Sequence, residues 1–267
     1  MRLIIIRRVH MLIAALLILA LLGSLTYMVL SAPALPVVEI TSPSGDRLPI
    51  YSVSTGRREV ALTFDATWGA EHTPTLLSVL EEKDVQVTFF LTNIWMEDYP
   101  EETRSIFEHG HEIGLHSAGH EDMATLSSDQ IKTDLTKNQE KLQAICSKAE
   151  PQLFRPPFGA YDDNLLQTAE DELGLTTIQW SVDSLDWKED ISADYIVNRV
   201  TTLVHPGAII LFHNNAKHTP EALPTILQFL EDNDYTAVTV SDLLHCPPYE
   251  IDHRGQQIPL DDADSPR

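Results

Sequence analysis

EVALTFDATWGAEHTPTLLSVLEEKDVQVTFFLT, residues 59–92, decides the fold. An unbroken apolar run, VALTF, ends in the carboxylate of Asp65 and a glycine turn at Gly69. An amphipathic stretch, TPTLLSVLEEK, follows, and then a second apolar run, VTFFLT. Runs without polar alternation are strands covered on both faces, and a helical stretch between two of them makes a parallel β-α-β unit. The same alternation continues outward through EETRSIFEHG, EIGLH, SSDQIKTDLTKNQEKLQAICSK, QLFR, DDNLLQTAEDEL, TTIQWSV, ADYIVNRVTTLV, AIILFH, TPEALPTILQFLEDN and YTAVTV. Seven candidate strands with intervening helices predict an α/β domain over residues 59–246, its parallel sheet either open or closed into a barrel.

The flanks read differently. Arg2, Arg7 and Arg8 precede residues 11–30, MLIAALLILALLGSLTYMVL, which carry no charge. That stretch is long enough to cross a bilayer and exceeds the apolar core of roughly 7–15 residues in a cleavable signal. Residues 1–31 are therefore expected to be a signal anchor, with the arginines cytoplasmic and the rest of the chain outside the membrane. The alternative is secretion after cleavage near Ala32-Pro33-Ala34. Prolines in residues 32–58 suggest an extracytoplasmic stalk with at most one hairpin, and the Pro- and Asp-rich residues 247–267 suggest a disordered tail. Lys and Arg total 18 against 40 Asp and Glu, a formal charge of -22, which excludes a nucleic-acid partner. Cys146 and Cys246 are the only cysteines, so neither a disulfide framework nor a thiolate metal site is present, although the two could pair with each other.

In parallel α/β folds, chemistry collects at the carboxyl ends of strands. Asp65, His116, Arg155, Asp183 and His213 each end an apolar run. Together an acid, two histidines and an arginine on one rim are what a hydrolytic site needs. His116 and His120 stand four apart in HSAGH, which suits a divalent metal with open positions. RPPFGAYD, residues 155–162, leaves the sheet after Arg155 because consecutive prolines remove ladder donors; it is a stiff loop able to fix an arginine and a backbone N–H. VDSLDWK places Asp183 and Asp186 three apart beside Trp187, either as acids of a helix start or as site groups.

These residues resemble the polysaccharide deacetylases with the NodB homology domain, carbohydrate esterase family 4. TFDA at 63–66, HSAGH, RPPFG, DSLDW and LFH at 211–213 occur in that family's order over about residues 59–246. The resemblance implies a distorted (β/α)7 barrel and removal of acetyl groups from an N-acetylated cell-wall glycan, with peptidoglycan and chitin-like substrates both open. It implies Asp65 as general base, Arg155 orienting it, His213 as general acid, Asp186 tuning His213, and His116 and His120 as ligands of zinc or cobalt. Phe158 would lend a backbone N–H to an oxyanion hole, and Trp187 and Leu211 would wall the pocket.

The common first motif of the family has a second acid after the base, and that acid completes the metal set. Here the position is Ala66, so the resemblance implies weak metal binding unless Glu71 or Asp122 substitutes. An apolar residue there followed by Trp68-Gly69 is similar to the sporulation-associated PdaB-like branch. The competing expectation is a non-catalytic glycan-binding protein on the same fold, its metal site lost at Ala66.

Overall fold

The computed structural model describes residues 47–260. The anchor expected over 1–31, the first part of the stalk and residues 261–267 lie outside the described residues. Among the described residues no helix is long and apolar enough to cross a membrane.

The chain builds one parallel sheet with helices packed on its outer face. Strand β2 (Glu59–Ala66) is buried along almost its whole length and sits at the centre. It pairs in parallel with β3 (Thr88–Leu91) on one side and β8 (Ile209–His213) on the other. Beyond β3 come β4 (Glu112–Leu115), β5 (Leu153–Phe154) and β6 (Thr176–Thr177); beyond β8 comes β7 (Val182–Asp183). β9 (Thr236–Val238) pairs with the first residues of β2. Helix α1 (Thr73–Glu82) starts with Pro74 in its first turn, where the missing N–H costs nothing, and buries Leu76, Leu77 and Leu80. The longest helix among the described residues, α2 (Ser128–Ile145), is opened by a capping box between Ser127 and Gln130.

TTIQWSV, expected as one strand, is two. Its first residues bond to β5 and its last to β8, so one stretch of chain forms both edges of the sheet. The four residues between, 178–181, span at most about 14 Å, which forces the sheet to curl toward itself. Counting β6 and β7 as one segment restores the expected seven, and the result is a curled parallel α/β half-barrel.

What stands in the remaining gap corrects the expected stalk. Ile50 N–H donates to the Thr177 carbonyl at 3.0 Å and Gln179 N–H donates to the Ile50 carbonyl at 2.8 Å. Three residues on, Val53 N–H donates to the Gly207 carbonyl at 2.9 Å. Residues 47–58 therefore belong to the domain, with β1 (Ser52–Val53) in a second sheet. The expected tail is corrected as well. Strands β10 (Tyr249–Ile251) and β11 (Gln256–Pro259) form a hairpin that pairs with β1, and Gln257 is buried within it. Low hydrophobicity misled that reading, because a hairpin bonded along an existing strand needs few apolar side chains. Gly207 (φ 78) packs so closely on the Val53 carbonyl that a Cβ would collide with it. Gly207→Ala is expected to cost about 3 kcal/mol in urea unfolding, because neither the turn nor the strap has room to yield.

Alternation along β2 separates two environments. Leu62, Phe64 and Ala66 join the apolar layer under the helices, where Phe64 stacks on Phe89 and Phe212 at 5.1 and 5.4 Å. Ala61 faces the inner cluster with Phe90, Ile178 and Ile209, and Thr63 and Asp65 share its parity.

Candidate active site

The register of the sheet brings the first pair together. Asp65 lies directly beside His213 on the neighbouring parallel strand, a strand spacing of about 4.8 Å. Both stand at carboxyl ends, as do His116 after β4 and Arg155 after β5.

Arg155 is fully buried under the site. Its Nη1 donates to Asp65 Oδ1 at 2.7 Å and to Thr63 Oγ1 at 2.9 Å, and Nη2 donates to the Gln179 carbonyl at 3.1 Å. The guanidinium carbon also sits 4.2 Å above the Phe90 ring. Burial pushes the Asp65 pKa up, but the Arg155 charge and the nearby imidazoles outweigh it and hold the carboxyl below its ordinary range.

His116 is fixed by its own neighbours. Its backbone N–H donates to Asn138 Oδ1 at 3.0 Å, and ring Nδ1 lies 2.7 Å from the Arg155 carbonyl, so that ring nitrogen carries the proton. Nε2 is left as an acceptor 3.6 Å from Asp65 Oδ2. Burial lowers the His116 pKa and keeps the ring neutral. A molecule with two donors, such as water, bridges two acceptors at that separation from the cavity side.

HSAGH is a loop rather than a helix. Ser117 (φ 72) and His120 (φ 53) both adopt left-handed backbone, and Ser117 Oγ accepts from the His120 N–H at 2.8 Å. The bend brings the two imidazoles to 5.1 Å between ring centres. Burial, then the neighbouring His116, lowers the His120 pKa to about 4.

The other half of the site is a buried carboxylate under a histidine. Asp186 Oδ1 accepts from His213 Nδ1 at 2.8 Å. Its Oδ2 accepts from the His213 backbone N–H at 2.8 Å and from Thr219 Oγ1 at 2.7 Å. Desolvation opposes protonation of His213, yet the Asp186 bond and charge, with Asp65 and Asp183 behind them, raise its pKa. Asp186 is thus a site group and not a helix cap. Asp183 Oδ1 instead accepts the Leu185 N–H, and burial raises its pKa.

These groups line a cavity of about 880 Å³ together with Phe158, Trp187 and Leu211, a size typical of small-molecule sites. Phe158 holds φ 59 in the turn after Pro156-Pro157, its ring 4.5 Å from that of His120. Such strain persists only where surrounding structure imposes it. Every residue predicted for the site except Arg155 lines this cavity, and Arg155 lies directly beneath it. The sequence reading gave no role to Trp68, Trp180, Lys217 and His218, which line it too, or to Thr219, which holds Asp186. For Thr219 the available signal was a hydroxyl before a proline at a helix start, shortly after a strand-end histidine.

The expected metal set is incomplete. Among the described residues no three His, Cys, Asp or Glu side chains stand together as a metal site. Asp122 is exposed and caps the turn Met123–Thr125, and Glu71 is exposed against Gly69, so neither replaces the missing acid. Ala66 is fully buried in the helix-side apolar layer. Two neutral imidazoles alone do not complete a three-ligand site for zinc. Both cysteines are free, Cys146 buried and Cys246 exposed.

Residues 52–178 match the polysaccharide deacetylase family. The chain is 33% identical over 196 residues to the peptidoglycan-N-acetylmuramic acid deacetylase PdaA of Bacillus subtilis, covering 73% of this chain and 74% of that protein. It is 34% identical over 197 residues to a peptidoglycan-N-acetylglucosamine deacetylase of Bacillus cereus, covering 72% and 70%. Among solved structures it resembles BA3943 of Bacillus anthracis, described as a CE4 family pseudoenzyme, with a TM-score of 0.70 and 34% identity over 74% of this chain and 69% of that one. A mutant of that protein, described as having restored enzymatic activity, matches with the same TM-score at 35% identity, covering 74% and 71%.

Proposed function

The chain belongs to the polysaccharide deacetylase family, and on that premise we propose that it hydrolyses N-acetyl groups of cell-wall glycan, peptidoglycan amino sugars foremost, releasing acetate. The observation that carries this reading is the pairing of a depressed carboxyl, Asp65, with a raised imidazole, His213, on adjacent strands of one cavity. Environments that push two titratable groups apart in this way assign base and acid.

Water bridging Asp65 Oδ2 and His116 Nε2 from the cavity side gives one proton to Asp65 as its oxygen bonds to the acetamide carbon. The Phe158 N–H, held in its strained turn, serves the oxyanion. As the C–N bond breaks, protonated His213 gives its Nε2 proton to the departing amine, with Asp186 stabilising the imidazolium. Trp187 and Leu211 wall the sugar. His116 and His120 offer a zinc or cobalt ion only two protein ligands, so binding of the ion is expected to be weak, and no step above runs through it. The apolar segment 11–30 supports display of the domain outside the membrane as an anchored protein, with secretion the alternative.

The test is acetate release from peptidoglycan and from chitin oligomers, with and without added zinc or cobalt. The expected profile is bell-shaped. Activity requires ionised Asp65, so it is lost only as pH falls below the ordinary carboxylate range. It requires protonated His213, so it is lost as pH rises through a value above the ordinary imidazole pKa of about 6.5. The Ala66 core position and the likeness to a pseudoenzyme favour a second reading, a glycan-binding protein without turnover. Glycan binding with no acetate under any metal decides for it.

A further inference from the structure

Among the described residues four large apolar side chains stand exposed, and three of them, Trp68 (57%), Phe158 (69%) and Trp187 (56%), line the same cavity. Apolar surface gathered at a cavity mouth marks a ligand site rather than ordinary surface. The roles given to Phe158 and Trp187 leave Trp68 unexplained.

We propose that Trp68 is a substrate-binding residue whose indole carries the sugar next to the one being deacetylated, so that the protein acts on glycan chains and not on single sugars. This rests on the deacetylase reading. Its position supports it: His116 beside Asp65 touches His120 at 5.1 Å, and His120 touches Trp68 at 5.1 Å, so the indole stands two ring contacts from the reacting centre. A sugar there is a neighbour of the reacting unit. The contact with His120 is T-shaped and leaves more than half of the indole open. A pyranose presents a face of C–H bonds, weakly positive, which suits the negative face of an aromatic ring.

The mount is rigid. The Gly69 carbonyl, next in the chain, accepts from Trp95 Nε1 at 2.7 Å and from Asn214 Nδ2 at 2.8 Å. Trp95 and Asn214 are both buried. A platform ordered before the ligand arrives loses little entropy on binding. The buried residues of the turn are Thr67 and Ala70, and the bonds that hold it end on the Gly69 carbonyl and not on the indole.

The experiment uses the full chain and its Trp68→Ala and Trp68→Phe variants. The probes are the peptidoglycan tetrasaccharide of alternating N-acetylglucosamine and N-acetylmuramic acid and the corresponding disaccharide. Acetate release gives kcat and KM, and calorimetry gives Kd independently of turnover. The expected result is that Trp68→Ala raises KM and Kd for the tetrasaccharide about tenfold, with a much smaller change for the disaccharide and kcat for the tetrasaccharide within about threefold. Trp68→Phe is expected to restore most of the affinity. Unchanged tetrasaccharide Kd in Trp68→Ala, or an equal fall in kcat for both substrates, overturns the proposal, the latter by assigning Trp68 a structural role. If the wild type releases no acetate but its tetrasaccharide binding depends on Trp68, the deacetylase reading fails while the subsite stands. Wild type that neither binds nor hydrolyses the tetrasaccharide overturns both.

Discussion

Asp65→Asn is expected to lower acetate release by about 10³–10⁴-fold at neutral pH, the contribution of a positioned general base and its charge. The substitution is nearly isosteric, and an amide oxygen at 65 still accepts from Arg155 Nη1, whose bond to the native carboxylate is 2.7 Å. What is lost is the ability to take a proton from water. The variant also leaves the buried Arg155 guanidinium without its counter-charge, so circular dichroism and urea unfolding must accompany the assay. A folded variant that keeps a tenth or more of wild-type activity would show that another group is the base. His116 is the first place to look, because its Nε2 is the acceptor 3.6 Å from Asp65 Oδ2.

Arg155→Met is expected to cost about 3–5 kcal/mol in urea unfolding, as does removal of one member of a buried ion pair. Met replaces the length and apolar contact of the side chain but none of its bonds to Asp65, Thr63 and the Gln179 carbonyl. The sign of the pH dependence follows from the native shift. Arg155 depresses the Asp65 pKa, so the pair contributes stability above the ordinary carboxylate range, and this is lost as pH falls through the depressed value. Without the guanidinium, burial acts largely unopposed and raises the Asp65 pKa. The stability gap between wild type and variant therefore narrows as pH falls, and the acid limb of activity moves upward in the variant. A gap that stays constant with pH would mean that Arg155 acts through its bonds to Thr63 and the Gln179 carbonyl and its place over Phe90, and not through the charge of Asp65.

The chemistry of the rim was legible because parallel sheets place their functional groups at strand ends, and strand ends are visible as the last residues of apolar runs. Asp65, His116, Arg155 and His213 were found in that way, and the structure brings them within one cavity or directly beneath it. Asp186 was ambiguous, since two acids three apart describe a helix start equally well. Its bonds to His213 and Thr219 depend on the loop after β7 meeting β8 and the start of α3 (Thr219–Asp232), a meeting with no local signature.

The boundaries were harder to read than the centre. Residues 50–53, IYSV after Pro49, are too short a run to announce a strand, and their bonding partners, Thr177, Gln179 and Gly207, lie more than a hundred residues along the chain. Sheet pairing is made by backbone groups that every residue carries, so the side chains of residues 247–260 gave little notice of the hairpin.

The sequence by itself determined the alternation of strand and helix, the family and the strand-end positions of Asp65, His116, Arg155 and His213. Each of these is a matter of which residue follows which run. Only the tertiary structure decided what Ala66 and Trp68 are. Alternation along β2 turns Ala66 into the apolar layer under the helices and leaves Asp65 facing the cavity. The bonds from Trp95 and Asn214 to Gly69 hold Trp68 out at the cavity mouth. Which way a side chain faces at the end of a strand depends on what packs against both sides of the sheet, and those partners are assembled from the whole chain.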